Sequence, residues 1–177
     1  GRSVPSLKME ELLFFLSLHG TKHQWVRLAW LSDVAEIILS TLDLDWARVE
    51  TRAAKSRSSR FLGIALWLAQ QLFEVSVPVS LLARLMKDPH VEAMARVMAA
   101  NLCGGSLYMP SETEHLNFLF RALPRLRDRL CFVWGVATEP CRDDWAFCPL
   151  PSKAVGLYTV LRPARLCGVA VRRWLKA

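Results

Sequence analysis

The chain has 177 residues, of which 53% are hydrophobic and 22% charged, a composition typical of a folded globular protein and not of a disordered segment. Its longest apolar runs, residues 12–18 and 61–73, are too short to cross a bilayer, so we expect no membrane partner. The first residue is Gly and no signal peptide opens the sequence. We therefore expect a cytoplasmic protein that starts at an expression boundary, at a processed end or at a cut from a longer chain.

The formal net charge of +7 is concentrated at the C-terminal end. Residues 1–45 carry −2, residues 46–120 carry +2 and residues 121–177 carry +7. A basic region of this kind can attract phosphates, nucleic acid or an acidic partner surface. The same charges also fit the solvated faces of amphipathic helices, and the sequence leaves both interpretations open.

Cysteine spacing gives no sign of a metal site. No Cys-x-x-Cys pair is present, and Cys141 and Cys148 have no histidine nearby. We expect reduced thiols, as in a cytosolic protein, and no metal-binding residues.

Helical periodicity begins near Lys8 and predicts a first helix with a wide apolar face. The pattern continues to Leu39, either as one long helix or as two helices joined near Gly20. Asp43 to Asp45 form a turn, and Asp45 can cap a helix that starts at Trp46.

Capping signals place most of the later helices. Asp88 precedes Pro89 at a helix start, and Ser111 forms a capping box with Glu114. Gly104 is expected to end a helix in the left-handed conformation. Pro163 is expected to separate the last two helices. The later helices are predicted at residues 59–73, 79–86, 89–102, 112–123, 152–161 and 164–175. Pro124 is predicted to start a turn or a new helix that carries Leu126, Leu130, Val133 and Trp134, and residues 138–151 an irregular segment.

These patterns predict an all-α protein with little or no sheet. We expect a single compact domain over residues 1–177 with about eight to ten helices, because alternating strand patterns are almost absent. The predicted core contains Leu13, Leu16, Leu28, Leu31, Ile64, Leu68, Leu130 and Trp134.

The stretch from His19 to Asp33 combines more polar and aromatic groups than any other part of the chain. On a continuous helix, His19, Lys22 and His23 share one face, and Arg27 continues it. We predict that these four residues line a polar groove and that Asp33 pairs with one of the cations. The alternative is a structural network that joins two helical layers.

The same stretch carries a resemblance to a known family. The pattern His-Gly-x-Lys-His-x-Trp-x-Arg-Leu-x-Trp-Leu-x-Asp-Val-Ala, from His19 to Ala35, resembles a segment of a poorly characterised bacterial family of nucleotidyltransferases. Leu44-Asp45-Trp46 and Leu150-Pro151, the latter followed by Leu157-Tyr158 and Leu161-Arg162-Pro163, are similar to the same family. The similarity spans nearly the whole chain but covers only the C-terminal half of the family.

Nucleotidyl transfer needs two or three carboxylates that hold Mg²⁺ against the triphosphate, usually on a sheet. Three acidic pairs have the wrong surroundings for this role. Glu112 and Glu114 follow Gly104-Gly105-Ser106 but lie in a capping box, Asp43 and Asp45 lie between helices, and Asp143-Asp144 lacks a strand. We expect the catalytic sheet domain to be absent and the chain to be inactive alone.

The resemblance implies a helical C-terminal region that contributes cationic groups to a nucleotide or acceptor cleft. Its substrate-binding residues would be His19, Lys22, His23, Arg27 and Asp33. Mg²⁺ and a nucleoside triphosphate are implied for a complete family member, with an upstream catalytic domain or a partner protein. The alternative is a non-catalytic binding or scaffold module that docks a partner protein or, less in keeping with its apolar helices, nucleic acid through its basic C-terminal third.

Overall fold

The computed structural model describes residues 7–104 and 109–174, with side chains up to residue 169. The described residues form ten α-helices and one 3₁₀ helix and contain no strand, which confirms the all-α prediction. None of the described helices combines the length and apolar character needed to span a membrane. The α-helices are α1 Met9–Lys22, α2 Leu28–Ser40, α3 Trp46–Lys55, α4 Ser59–Phe73, α5 Val79–Leu85, α6 Pro89–Cys103, α7 Glu112–Ala122, α8 Leu126–Thr138, α9 Arg142–Phe147 and α10 Tyr158–Trp174, and the 3₁₀ helix is Ser152–Leu157.

Contacts divide the chain into two compact units, Gly1–Pro124 and Arg125–Ala177. Each unit is helical and is described separately, and the assignment of one domain to residues 1–177 stays a prediction.

The first unit is built around α4, which packs against α1, α2, α3, α5 and α6. Nearly every residue of its central turns is buried, because Leu62, Ile64, Leu66 and Leu68 point to different sides and each meets another helix. Gly63 faces α6, where an added Cβ would lie 2.9 Å from Val91. A helix that is apolar all round is expected at the centre of a helical unit.

One buried ion pair fastens the start of α4 to α6 and α7. The Arg60 guanidinium donates to Asp88, with Nε 2.7 Å from the carboxylate, and also to the carbonyl oxygen of Arg121. The Arg60 side chain is only 6% exposed, so the loss of either partner would leave an unpaired charge in the interior. Asp88 also caps α6, as the sequence predicts, because its other oxygen accepts from the His90 backbone N–H.

The second unit consists of α10 packed against α8, α9 and the 3₁₀ helix. The sequence predicts a break at Pro163, but α10 continues through this residue. Arg162 and Arg165, on either side of the proline, both bind Asp144 of α9. These ion pairs connect α10 to α9 on both sides of the position where proline removes one backbone hydrogen bond. The short helix α9 also corrects the prediction of an irregular segment at 138–151.

The predicted core is right at most of its positions in the first unit and wrong in the second. Leu13, Leu31, Ile64 and Leu68 are fully buried, and Leu16 is partly buried against them. Three predicted core residues are largely exposed: Leu28 is 50% exposed, Leu130 61% and Trp134 69%. Leu28 is the first residue of α2, and the half-buried strip of α8 contains Phe132 and Val136 instead.

Two helix ends also differ from prediction in their details. Asp45 and Ser111 act as N-caps as expected, with Asp45 accepting from the Arg48 N–H at 2.9 Å. Gly104, however, has a φ of −72° and not the left-handed value expected of a terminal glycine. Gly105 and Ser106, the rest of the glycine turn considered in the sequence, lie outside the described residues.

Candidate functional site

The site forms where α1 ends and the chain turns back into α2. The Trp25 N–H donates to the Gly20 carbonyl at 2.8 Å, and the Gln24 N–H donates to the Thr21 carbonyl at 3.0 Å. This pair of bonds is the Schellman pattern, in which the residue after the C-cap takes a left-handed conformation. That residue is Gln24, with a φ of 55°, and Trp25 follows at 50°. The helix therefore ends at a position where the sequence has no glycine to signal it.

Trp25 packs this turn against the helical core. Its ring is fully buried and lies over Gly20, where an added Cβ would come within 2.3 Å of a ring carbon. Its Nε1 donates to the Thr21 hydroxyl at 3.1 Å, and that hydroxyl donates to the carbonyl of Phe61 in α4 at 3.2 Å. Gly20 thus makes room for the tryptophan. Of the two predicted alternatives, the structure has two helices, and they are joined at residues 23–27, a few residues beyond Gly20.

The turn also overturns the prediction that one helical face carries the polar residues. His19 and Lys22 belong to α1, His23 lies in the turn, and Arg27 is the N-cap residue of α2. All the same, the two histidines and Arg27 meet around one ring, that of Trp30. The ring centroids of His19 and His23 lie 5.0 and 5.7 Å from that of Trp30, and the Arg27 guanidinium lies 5.8 Å from it.

A residue missed by the sequence interpretation, His115 of α7, joins this group. Its ring centroid lies 6.3 Å from that of His23, with the rings nearly parallel at 23°. Its Nδ1 is 3.1 Å from Nε2 of Gln24, a side chain that is 7% exposed. Nothing in the local pattern around His115 links it to a turn more than 90 residues earlier, so only the packing of α7 brings it here.

We call His19, Lys22, His23, Arg27, Trp30 and His115 the histidine cluster. Partial burial lowers the pKa of His23, and the positive charges of His19, Lys22 and His115 lower it further. Burial also lowers the pKa of His115, with Lys22 adding to the effect. Two of the imidazoles are therefore biased towards their neutral form, while the Lys22 and Arg27 side chains are exposed beside them.

Asp33 does not join the cluster as a partner. It is exposed on α2, and among the described residues no ion pair connects it to Lys22 or Arg27. The predicted pairing depended on one continuous helix, in which Asp33 would follow the basic row. Its assignment to a substrate site stays a prediction.

A cavity of about 450 Å³ lies beside Gln24, between α6 and α7. Met94, Met98 and Phe118 form apolar parts of its wall, and Asn101 and Arg121 add polar groups. Its volume falls within the range of about 300–1,000 Å³ that small-molecule sites occupy.

One residue of each acidic pair considered for Mg²⁺ is engaged in another role. The Glu114 carboxylate accepts from the backbone and hydroxyl of Ser111 at 2.8 and 2.7 Å, which lowers its pKa. Asp45 caps α3, and Asp144 binds two arginines. Within residues 7–104 and 109–174, no group of three His, Cys, Asp or Glu side chains could hold a metal ion. These residues do not fit the Mg²⁺ that nucleotidyl transfer requires.

The second unit contains its own buried charge cluster. Asp144 receives Arg162 Nη1 at 2.5 Å, Arg165 Nε at 2.6 Å and the Cys141 backbone N–H at 2.9 Å. Burial alone would raise the pKa of Asp144, but these hydrogen bonds outweigh it and hold the pKa well below its ordinary value. Two of the basic residues of the C-terminal third, Arg162 and Arg165, are therefore paired within the protein.

Comparison with known families finds a match in the first part of the chain, which contains α1 to α4. A family model described as an uncharacterised nucleotidyltransferase matches residues 1–74. The match covers the first part of the chain, including the segments from His19 to Ala35 and from Leu44 to Trp46, but not the resemblance at Leu150–Pro163. No curated protein and no solved structure matches the chain.

Proposed function

We propose that the chain is a helical region of a nucleotidyltransferase that contributes cationic groups to a nucleotide or acceptor cleft. The observation that carries this proposal is the convergence of Arg27, His19 and His23 around Trp30, with the Lys22 charge acting on His23, inside the segment that the family model matches. A resemblance to the C-terminal half of such enzymes is part of the proposal, as is a cytoplasmic location.

Each cationic group has a separate task in this proposal. The Lys22 ammonium is an exposed point charge suited to a phosphate, and the Arg27 guanidinium presents a fork of donors while its position over Trp30 limits its motion. His19 and His23 orient the acceptor. The cavity beside Gln24 offers room for an apolar part of the acceptor or nucleotide.

The chain does not catalyse transfer alone in this proposal. Mg²⁺ and its carboxylate ligands belong to the catalytic half, which an upstream domain or a partner protein supplies, because Glu114, Asp45 and Asp144 are committed to caps and ion pairs. Turnover by the isolated chain that disappears when Glu112 and Glu114 are changed to Ala would contradict this point.

The test compares binding with stability in Lys22→Ala and Arg27→Ala. Because a hydrogen bond to a charged group contributes about 1.5–3 kcal/mol, each change should weaken Mg²⁺–nucleoside triphosphate binding by about tenfold or more. The melting temperature should stay the same because both side chains are exposed. Lys87→Ala, which removes an exposed lysine away from the cluster, is the matched control.

Calorimetry and thermal melting on the same samples separate the two interpretations. A lower melting temperature without any loss of affinity would show that the cluster is a structural network. The measurement is best repeated in the complete protein if a catalytic half precedes residue 1.

A second function is favoured by one feature of the second unit. Helix α8 exposes Leu126, Leu130 and Trp134, which are 69%, 61% and 69% accessible, in the third of the chain that carries a net +7. A non-catalytic module that docks an acidic protein surface would use both properties. Binding of polyanions alone with a steep salt dependence, and no binding of Mg²⁺–triphosphate, would favour this function.

A further inference from the structure

We infer that His115 completes the phosphate site and that His23 and His115 take up protons when the cluster binds the anion. The inference rests on the proposed function, since it concerns the same cluster, and it names the ligand class as a polyphosphate or another multiply charged anion. It adds a group from α7 to those of α1 and α2.

The first support is the grouping itself. The chain has four histidines, and three of them meet in this cluster although they come from a helix, a turn and a second helix. The centroids of His19 and His23 are 4.7 Å apart, and those of His23 and His115 are 6.3 Å apart. An anion can therefore contact more than one imidazole at once.

The second support is the sign of the surrounding charges. Partial burial lowers the pKa of His23 and His115, and the positive charge of Lys22 lowers both further. The charged form of His19 also disfavours protonation of His23. A bound anion acts in the opposite direction, because its negative charge stabilises the protonated imidazole.

The acidic group next to His115 in sequence does not compensate these cations. Glu114 is turned towards the helix start, where Ser111 donates two hydrogen bonds to its carboxylate.

The third support is the hydrogen bond between His115 and Gln24. The amide nitrogen of Gln24 donates to Nδ1 of a neutral His115 at 3.1 Å. If the amide rotates by half a turn, its oxygen accepts from the same nitrogen when the ring is protonated. The buried amide can thus serve both protonation states without leaving its place.

A metal ion is a poorer fit than an anion for this cluster. In the described part of the chain, no three histidine, cysteine or acidic side chains are arranged to hold a metal ion. Lys22 and Arg27, beside the histidines, would repel a cation and attract an anion.

The experiment titrates the histidine ring protons of the whole chain by NMR, with and without inorganic tripolyphosphate. Sulfate serves as a second probe because its charge is constant over the pH range used. Changing each histidine to Gln assigns the four resonances. We expect both anions to raise the pKa of His23 and His115.

Calorimetry of the same anions gives the linked affinity. Affinity should increase as the pH falls from about 8 to about 6, by up to roughly tenfold per pH unit for each proton taken up. His115→Gln should reduce this pH dependence, whereas Lys87→Gln, which changes an exposed lysine outside the cluster, should leave it unchanged. His115→Lys should keep affinity and lose part of the pH dependence, because lysine is charged throughout.

The outcomes distinguish this inference from the proposed function. Anion binding without a pKa change at His23 and His115 would overturn the inference and leave the proposed function standing. No anion binding at any pH would overturn both. Shifts of the three histidines by Zn²⁺ but not by either anion would show a metal site and would also overturn the inference.

Discussion

Replacing Gly20 by Ala tests how the turn that carries the site is held. The added Cβ would lie 2.3, 2.4 and 2.6 Å from three carbons of the Trp25 ring. Carbon atoms in contact are normally about 3.5–4.0 Å apart, so the ring would have to move by more than 1 Å. Because Trp25 is fully buried, the ring cannot move into solvent without displacing neighbouring side chains.

The cost of this change follows from three contributions. Overpacking of a buried side chain costs about 1–3 kcal/mol. Displacement of the ring also lengthens the bond from Trp25 Nε1 to Thr21, which contributes about 1 kcal/mol. Ala recovers about 1 kcal/mol through its higher helix propensity at Gly20. We expect a net loss of about 1–3 kcal/mol in the free energy of unfolding.

Urea unfolding followed by circular dichroism measures this loss, with Gly168→Ala as the matched control. Gly168 also lies within a helix, but an added Cβ there meets no atom within 4 Å. The control should gain about 0.5–1 kcal/mol, because Ala restricts the unfolded chain more than Gly does.

A double-mutant cycle identifies the cause of the loss. If the clash with Trp25 is responsible, Gly20→Ala should cost little in a Trp25→Leu background. An equal cost in both backgrounds, or a gain of stability in the single variant, would refute the packing argument. Displacement of Trp25 should also weaken anion binding, since the turn places His23.

Two further predictions concern the buried charges and the caps. Asp144→Asn should destabilise the second unit by about 3–5 kcal/mol, because it leaves Arg162 and Arg165 without their partner. In the same urea unfolding experiment, Asp143→Asn should have little effect because Asp143 is exposed. Since the folded-state pKa of Asp144 is lowered, its stabilisation is present above its ordinary pKa and is lost as the pH falls through the folded value, so the two variants should converge in strong acid. Ser111→Ala should cost about 1 kcal/mol in the melting of α7, and an unchanged melting temperature would contradict the role of the capping box.

Features that depend on residues close together in the chain could be predicted from the sequence alone. The cap at Asp45, the capping box of Ser111 and Glu114 and the bounds Ser59–Phe73 agree with the structure, because each rests on contacts within one helical turn or on a regular apolar period. The same periodicity identified the all-α class and the buried residues of the first unit.

Other features depend on packing between helices, which can override the local conformational preference of a residue. The left-handed conformation at Gln24 is disfavoured locally and exists because Trp25 is buried over Gly20. Helix α10 continues through Pro163, and the arginines on either side of the proline bind one buried carboxylate of α9.

The candidate site was likewise only partly predictable from the sequence. Its residue types were visible in one short stretch, from His19 to Arg27, but their arrangement around Trp30 depends on a turn that no glycine announces. His115 comes from a helix far along the chain and reaches the cluster only through packing. Spacing along a sequence specifies a helical face, whereas the meeting of separate helices depends on which apolar surfaces they bury together.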